Sequence, residues 1–178
     1  MKITLNKKQL LIIVIGLIAI SVLGYVGMSG MFVGPQPDQG DVKVIAETVG
    51  GFKVTDQEIY KENGKPVVYF FGSNGCPHCK WEHPILLDVM QQFSDYISFH
   101  DNMDGQGDAE IYEKFKNQNQ NAIPFLVAGG KYVKLGSGQS NGEEMEKKYL
   151  TAVMCKLIDS SSELCEDPEI ASIVSQIP

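Results

Sequence analysis

The chain opens with one long apolar stretch and continues with short apolar runs separated by polar turns. No side chain is charged from Leu10 to Val26, and a membrane-spanning helix needs about 20 apolar residues. The pattern therefore predicts a transmembrane signal-anchor at residues 10–28, preceded by a cytoplasmic flank at residues 1–9. Residues 29–41, which are rich in glycine and proline, predict a linker, and residues 42–178 predict a single domain.

The charges on the two sides of the apolar stretch predict its orientation. Lys2, Lys7 and Lys8 precede the stretch, whereas Asp38 and Asp41 are the first charged residues after it. Positive side chains stay on the cytoplasmic side of a membrane. We therefore expect a single-pass protein of the cell membrane, with a cytoplasmic N-terminus and an extracytoplasmic domain.

A cleaved secretory signal peptide is the alternative interpretation of the apolar stretch. Signal peptides have a shorter apolar core, about 7–15 residues, that ends at a pair of small residues. The best small pairs here, Ala19/Ser21 and Gly27/Ser29, match that site poorly. Both interpretations export the remaining chain to a compartment that permits disulfides.

The hydrophobic pattern beyond the linker predicts an α/β domain with the order β-α-β-α-β-β-α. A run of β-forming residues without alternation, Val67 to Phe71, is typical of a strand buried on both faces. The βαβ unit predicts a parallel strand pair and the hairpin an antiparallel pair, which gives a mixed sheet flanked by helices. The other predicted elements are the helices Pro77–Phe93, Asp108–Lys116 (capped by Asp108) and Gly142–Ile158, the strand Tyr96–Phe99, and the hairpin strands Phe125–Val127 and Lys131–Leu135. Weaker patterns predict a strand at Val42–Ile45, a helical turn at Thr55–Tyr60, a polar loop at Asn117–Asn121 and a short helix at Asp167–Ile177.

Charge excludes one class of function. The formal net charge is −7, all 15 basic residues are lysine, and no basic cluster lies outside the N-terminal flank. Nucleic-acid binding depends on a basic patch. We therefore expect no nucleic-acid partner.

The tetrapeptide Cys76-Pro77-His78-Cys79 carries the candidate chemistry, because it lies between the buried strand and the next helix. The unpaired N–H groups and the dipole at a helix N-terminus favour negative charge. They should lower the pKa of Cys76 and make it a nucleophile. Cys79 lies one turn into the helix and can close a disulfide with Cys76, which predicts thiol–disulfide exchange. His78 is a candidate to stabilise the Cys76 thiolate, or it is an exposed residue of the first turn.

A buried strand, a Cys-x-x-Cys that opens a helix and an Ile123-Pro124 before a hairpin together resemble the thioredoxin superfamily. The resemblance covers roughly residues 42–158, and Cys-Pro-His-Cys is similar to the active site of DsbA-type disulfide oxidases. It implies a thioredoxin-like fold in which Pro124 is cis and faces the sulfurs, and in which the backbone of Ile123 pairs with a client. It also implies exported protein thiols as substrates and a quinone-linked membrane partner of the DsbB or vitamin-K-epoxide-reductase kind.

One departure from the family concerns proton transfer. Many relatives carry a buried carboxylate in the strand before the active site, whereas this chain has Tyr69, Phe70 and Phe71 there. Water, Glu82 or another group must then handle protons, and the sequence assigns no general base.

The remaining cysteines, Cys155 and Cys165, predict a structural disulfide, because an exported chain with an even cysteine count usually pairs them. A second redox pair that exchanges electrons with Cys76 and Cys79 is the alternative. His83 and His100 are expected to be structural or exposed. Trp81 could shape a substrate surface or pack under the helix.

Two functions follow from these observations. The first is a membrane-anchored, extracytoplasmic protein-disulfide oxidoreductase that introduces or isomerises disulfides and needs no cofactor. The second is an exported thioredoxin-like module that handles copper or zinc, because Cys-x-x-Cys with a nearby histidine can bind either metal. We assign no metal ligands, because Cys155 and Cys165 are too widely spaced to complete a zinc site.

Overall fold

A seven-stranded sheet organises the part of the chain that the structure, a computed structural model, describes: residues 41–105 and 107–178. The strands run in the order β1-β2-β7-β6-β4-β3, and β5 also pairs with β4. Their bounds are Val44–Glu47 (β1), Lys53–Thr55 (β2), Lys61–Glu62 (β3), Lys65–Gly72 (β4), Ser98–Met103 (β5), Phe125–Ala128 (β6) and Tyr132–Leu135 (β7).

Five α-helices accompany the sheet within the described residues. They are Pro77–Gln92 (α1), Ala109–Lys114 (α2), Lys116–Asn119 (α3), Glu143–Leu157 (α4) and Pro168–Val174 (α5), with short 3-10 turns at Val49–Gly51, Gln139–Asn141 and Glu163–Glu166. The combination of a sheet with helices confirms the predicted α/β class.

Strand β4 is the centre of the sheet. It pairs with β5 in parallel, with Val67 opposite Ser98, and with β6 antiparallel, with Phe70 opposite Leu126. The mixed sheet predicted from the βαβ unit and the hairpin is therefore confirmed. Because helix α1 connects two parallel neighbours, the carboxyl end of β4 delivers the chain to the start of α1 at one edge of the sheet.

The two faces of β4 enter two different hydrophobic clusters. Val68 and Phe70 pack in the larger cluster with α1, α4 and α5, whereas Val67, Tyr69 and Phe71 pack in the smaller one with α2 and Phe115. All five side chains are at most 9% exposed. Burial on both faces explains why this strand is apolar without alternation.

Three local predictions were wrong. Thr55 ends strand β2, and no helical turn follows at residues 56–60, because the Thr55 hydroxyl donates to the carbonyl of Gly130 across the sheet. Asp108 precedes α2, but its side chain makes no cap and instead binds His100 and Asn102. The predicted polar loop at Asn117–Asn121 is largely helix α3.

The predicted pairing of Cys155 with Cys165 is confirmed. The disulfide joins α4 to the 3-10 turn Glu163–Glu166, and the two residues are 0% and 5% exposed. Both belong to the larger hydrophobic cluster. This burial is typical of a structural staple.

The predicted cytoplasmic flank and signal-anchor lie outside the described residues, and so does the linker apart from Asp41. Within residues 41–105 and 107–178, no helix has the length and apolar character that crossing a bilayer requires.

Candidate functional site

The free cysteines Cys76 and Cys79 lie where the carboxyl end of β4 meets α1. A turn brings the chain there, and it is held by the bond from the Cys76 N–H to the carbonyl of Ser73 (3.0 Å) and by the bond from the Asn74 N–H to Asp104 (2.8 Å). Cys76 is the N-cap residue of α1, and its sulfur accepts the backbone N–H of Cys79 at 3.3 Å. Pro77 occupies the first helical position, where a missing N–H costs nothing.

The two thiols have opposite electrostatic environments. Partial burial works against the Cys76 thiolate, but hydrogen bonds from the Cys79 thiol and from the backbone N–H groups of Cys79 and His78 outweigh it and lower the pKa of Cys76. Cys79 is fully buried, and burial together with its hydrogen bond to Cys76 raises the pKa of Cys79 to about 11. Cys76 is therefore the more accessible and more acidic thiol of the pair, whereas the environment of Cys79 favours its thiol form.

Ile123 and Pro124 lie against this pair. The peptide bond between them is cis, as the family resemblance implied. The Ile123 carbonyl oxygen lies 3.8 Å from the Cys76 sulfur, and the Pro124 carbonyl accepts the N–H of Gly136 at 2.8 Å. The backbone of Ile123, a partly buried residue, thus lies beside the Cys76 sulfur.

His78 affects the pKa of Cys76 through its backbone N–H group. Its N–H group lowers the pKa of Cys76, whereas its ring Nδ1 lies 3.4 Å from the Ser137 hydroxyl. The next residue, Gly138, donates its N–H to the Glu82 carboxylate at 2.8 Å. The loop after β7 is therefore bonded to α1 at two successive turns.

Below this loop lies a buried charge cluster that the sequence reasoning did not find. Glu82, Lys134 and Glu146 are 3%, 4% and 0% exposed, and the Lys134 ammonium forms an ion pair with Glu146 and lies 3.9 Å from Glu82. A signal was present, since Glu82 follows Cys79 by three positions and precedes Leu86 by four, on the face of α1 that is buried. A carboxylate on an apolar helical stripe is informative, because glutamate is almost never fully buried unless paired.

A small pocket is lined in part by Ile123, the residue that precedes Pro124 in the cis peptide bond. Its volume is about 260 Å³, and no charged residue is among its described lining. Phe71, Tyr112 and Ile123 supply its apolar walls, and glycine backbone supplies much of the rest. Ile123 is therefore shared between this pocket and the surroundings of the Cys76 sulfur.

The other histidines have acidic partners that spacing did not reveal. His83 on α1 lies 2.8 Å from Asp101, and His100 on β5 lies 3.0 Å from Asp108 and 3.2 Å from Glu62. These contacts join separate elements, which supports the structural interpretation of both residues.

The remaining candidates lie in the core rather than among the reactive groups. Trp81 is partly buried and packs against the larger hydrophobic cluster. This contact favours packing under the helix over a role in shaping a substrate surface. The Cys155–Cys165 disulfide is buried in the same cluster. Among the residues that the structure describes, no group of three or more His, Cys, Asp or Glu side chains has an arrangement that could hold a metal ion.

No protein-family model matches the chain, and no curated protein matches it significantly.

Proposed function

We propose that this protein is a membrane-anchored, extracytoplasmic thiol–disulfide oxidoreductase with a thioredoxin-like fold. Its Cys76/Cys79 pair introduces disulfides into exported proteins. The observation that carries the proposal is the contrast between the two thiols: Cys76 is accessible with a lowered pKa, whereas Cys79 is buried with a pKa raised to about 11. Such a pair exposes one sulfur to a client and protects the other.

The exchange proceeds in two steps. A client thiolate attacks the Cys76 sulfur of the oxidised pair, which forms a client–Cys76 bond and breaks the Cys76–Cys79 bond; Cys79 leaves as a thiolate and takes up a proton. A second client thiolate then attacks the client sulfur of this mixed disulfide, and Cys76 departs as a thiolate. The client loses two electrons, and the pair gains them.

The thiol environments favour the oxidising direction. Hydrogen bonds that lower the pKa of Cys76 stabilise its thiolate, which exists only in the reduced pair. Stabilising the reduced form makes the disulfide a stronger oxidant, and about 30 mV of reduction potential corresponds to about 1.4 kcal/mol. Isomerisation uses the same groups in the reverse order, with Cys76 attacking and Cys79 resolving.

The surroundings of Cys76 suit an extended, uncharged client segment. The Ile123 carbonyl accepts the Cys76 thiol in the reduced pair. In a disulfide Cys76 has no proton to donate, so this carbonyl can accept a client backbone N–H, as in the pairing of an added strand. The pocket of about 260 Å³ that Ile123 also lines offers apolar walls for a neighbouring client side chain. These features agree with a broad substrate class, unfolded exported polypeptides that contain cysteine.

An oxidase of this kind needs an electron acceptor to restore its disulfide. The family resemblance implies a quinone-linked membrane protein similar to DsbB or to vitamin-K epoxide reductase. The predicted anchor at residues 10–28 would hold the domain beside such a partner and raise the effective concentration of each for the other.

The test uses the purified full chain, oxidised at Cys76–Cys79 and mixed with a reduced, unfolded client that has two cysteines. We expect a client disulfide to form as the pair becomes reduced, measured by mass spectrometry after alkylation. In a second reaction the reduced variants meet a client that already contains a disulfide: the Cys76 thiolate of Cys79→Ala attacks it, releases one client thiolate and should accumulate as a mixed disulfide, whereas Cys76→Ala should accumulate few.

The same preparation tests the metal-handling alternative. Stoichiometric copper or zinc in the purified chain, lost in Cys76→Ala and accompanied by no client oxidation, would replace the oxidoreductase proposal. Ser137→Ala is a matched control, since it alters a neighbour of His78 and leaves both sulfurs in place.

A further inference from the structure

The buried charge cluster contains two carboxyl groups and one ammonium, contributed by three different elements. Glu82 projects from α1, Glu146 from α4 and Lys134 from β7. We call Glu82 and Glu146 the acid pair. The Lys134 ammonium also lies 5.5 Å from the centre of the Phe52 ring, so apolar surface closes the cluster from another side.

The charges of this cluster do not balance unless a proton is added. Two carboxylates and one ammonium carry a net charge of −1, and an uncompensated charge is very costly at sites only 0–4% exposed. One proton on the acid pair makes the cluster neutral. Oε2 of Glu146 is buried and has no hydrogen-bond partner among the described residues unless such a proton supplies one.

A rigid route connects the acid pair to the redox site. The supporting segment, Gly136–Gly138, bonds through its three successive residues to Pro124 (2.8 Å), to the His78 ring (3.4 Å) and to Glu82 (2.8 Å). Glu82 also lies three residues after Cys79 on α1, a spacing that makes them neighbours on one helical face. Lys134 from β7 is therefore the cation that contacts the acid pair, and Cys79 is the neighbour of Glu82 by helical spacing on α1.

Close packing fixes the supporting segment over the acid pair. A Cβ atom on Gly138 would lie 1.5 Å from Oε2 of Glu146, so only glycine fits there. The Gly138 N–H bond to Glu82 is stronger when Glu82 is ionised, because the acceptor then carries charge.

We propose that the acid pair binds one exchangeable proton beside Lys134. When the acid pair gains or loses this proton, its charge changes. The change acts on the thiols electrostatically along α1 and through the hydrogen bonds of the supporting segment, and it makes the reactivity of the thiols pH-dependent. Burial, opposed by Lys134 and reinforced by Glu146, raises the pKa of Glu82 to about 7, in agreement with loss of this proton near neutral pH. Glu82 and Glu146 are positioning residues in this scheme, since neither touches the client.

Infrared spectroscopy of the full chain detects the proton directly. We expect the carbonyl stretch of a buried, protonated carboxylic acid at pH 6, lost on titration to pH 8.5. Glu82→Gln and Glu146→Gln should each abolish the band, because the remaining carboxylate then forms a neutral ion pair with Lys134 without a proton. Glu144→Gln is the matched control on α4, since that residue is 84% exposed, and it should keep the band.

The parent chain alone can overturn the proposal, whether or not the variants fold. Absence of a titrating band in the parent would contradict a shared proton, and so would a band that persists in both Glu→Gln variants. The redox consequence is measured as the Cys76 alkylation rate against pH. In the parent chain, the alkylation rate should show a step near pH 7 of up to about tenfold, which corresponds to a change of about one unit in the pKa of the thiol. Glu82→Gln should lack this step.

This inference deepens the proposed function, and its relevance to exchange rests on that function. The two can fail separately, because the infrared band needs no client and should persist in Cys76→Ser. A chain with the band and the alkylation step but without client oxidation would refute only the oxidoreductase. An active chain without the band would refute only the acid pair.

Discussion

The Cys76 sulfur lies 3.8 Å from the carbonyl oxygen of Ile123, although 47 positions separate the two residues along the chain. Strands β4 and β6 explain the approach, because they pair antiparallel with Phe71 opposite Phe125. The end of β4 and the start of β6 therefore lie at one edge of the sheet. Under the proposed function, a client bound to Cys76 would therefore lie beside the backbone of Ile123.

Alkylation of the reduced chain should discriminate strongly between the two thiols. The pKa of Cys76 is lowered from 9.0, and that of Cys79 is raised from 9.0 to about 11, so they differ by more than two units. Each unit changes the thiolate fraction tenfold, and at pH 6 we expect Cys76 to react more than about 100-fold faster. Peptide mapping after timed iodoacetamide labelling measures the ratio. Equal rates would contradict the assignment of Cys76 as the nucleophile.

Removing the buried disulfide should lower stability without removing the redox chemistry. We expect the double variant Cys155→Ala/Cys165→Ala to lose about 2–3 kcal/mol of unfolding free energy, following the loop-closure argument for a short loop. Urea unfolding measures the loss. The Cys76 alkylation rate, taken below the new melting temperature, should match that of the parent. A double variant as stable as the parent but not reoxidised by its membrane partner would instead identify the disulfide as an electron relay.

Lys134→Met should destabilise the fold in a pH-dependent manner. The substitution leaves the Glu82 and Glu146 carboxyl groups buried without their cation, and breaking a buried pair in this way costs about 3–5 kcal/mol. The loss should be largest near pH 8 and smaller near pH 5, because the raised pKa of Glu82 lets a proton neutralise that carboxyl at the lower pH. Urea unfolding at the two pH values measures it.

Lys147→Met is the matched control for this prediction. Lys147 pairs with Asp88 on the surface, where the two side chains are 41% and 51% exposed, and surface pairs contribute less than about 1 kcal/mol. A Lys134→Met variant no weaker than Lys147→Met would contradict the buried cluster.

Stability should also depend on pH through His100. Partial burial opposes the charged ring, but hydrogen bonds with Glu62 and Asp108 outweigh it and raise the pKa of His100 above its usual 6.5. A raised folded-state pKa means that the stabilisation is fully present below about pH 6.5 and is lost as pH rises through the folded-state value. His100→Gln should therefore reduce the stability difference between pH 6 and pH 8.5, measured by thermal unfolding.

His83→Gln is the control, because it removes a histidine–carboxylate contact to Asp101 and leaves Glu62 and Asp108 untouched. His83→Gln should retain the stability difference between pH 6 and pH 8.5 that titration of His100 causes. An unchanged difference in His100→Gln would contradict the prediction.

Local sequence signals determined much of the fold and the chemical core of the site. The run Val67–Phe71, the helix that begins at Pro77 and the hairpin around Gly129 and Gly130 were all predicted, because hydrophobic period and turn residues act over a few positions. The placement of Cys76 at a helix N-terminus followed from the same local logic. Thr55–Tyr60 was predicted wrongly, because Thr55 bonds to Gly130 in the hairpin turn, 75 positions later in the chain.

Tertiary structure alone decided which charges meet. Lys134 looks like an ordinary polar residue of a hairpin strand. The position of Glu82 on the apolar stripe of α1 indicates burial, but its partners Lys134 and Glu146 become apparent only when α1 and α4 pack on the same face of the sheet. His100 acquired Glu62 and Asp108 in the same way, from a neighbouring hairpin and a helix start. Side-chain period predicts which face is buried, but a charge is stabilised by partners from other elements, and packing brings those partners together only in the folded chain.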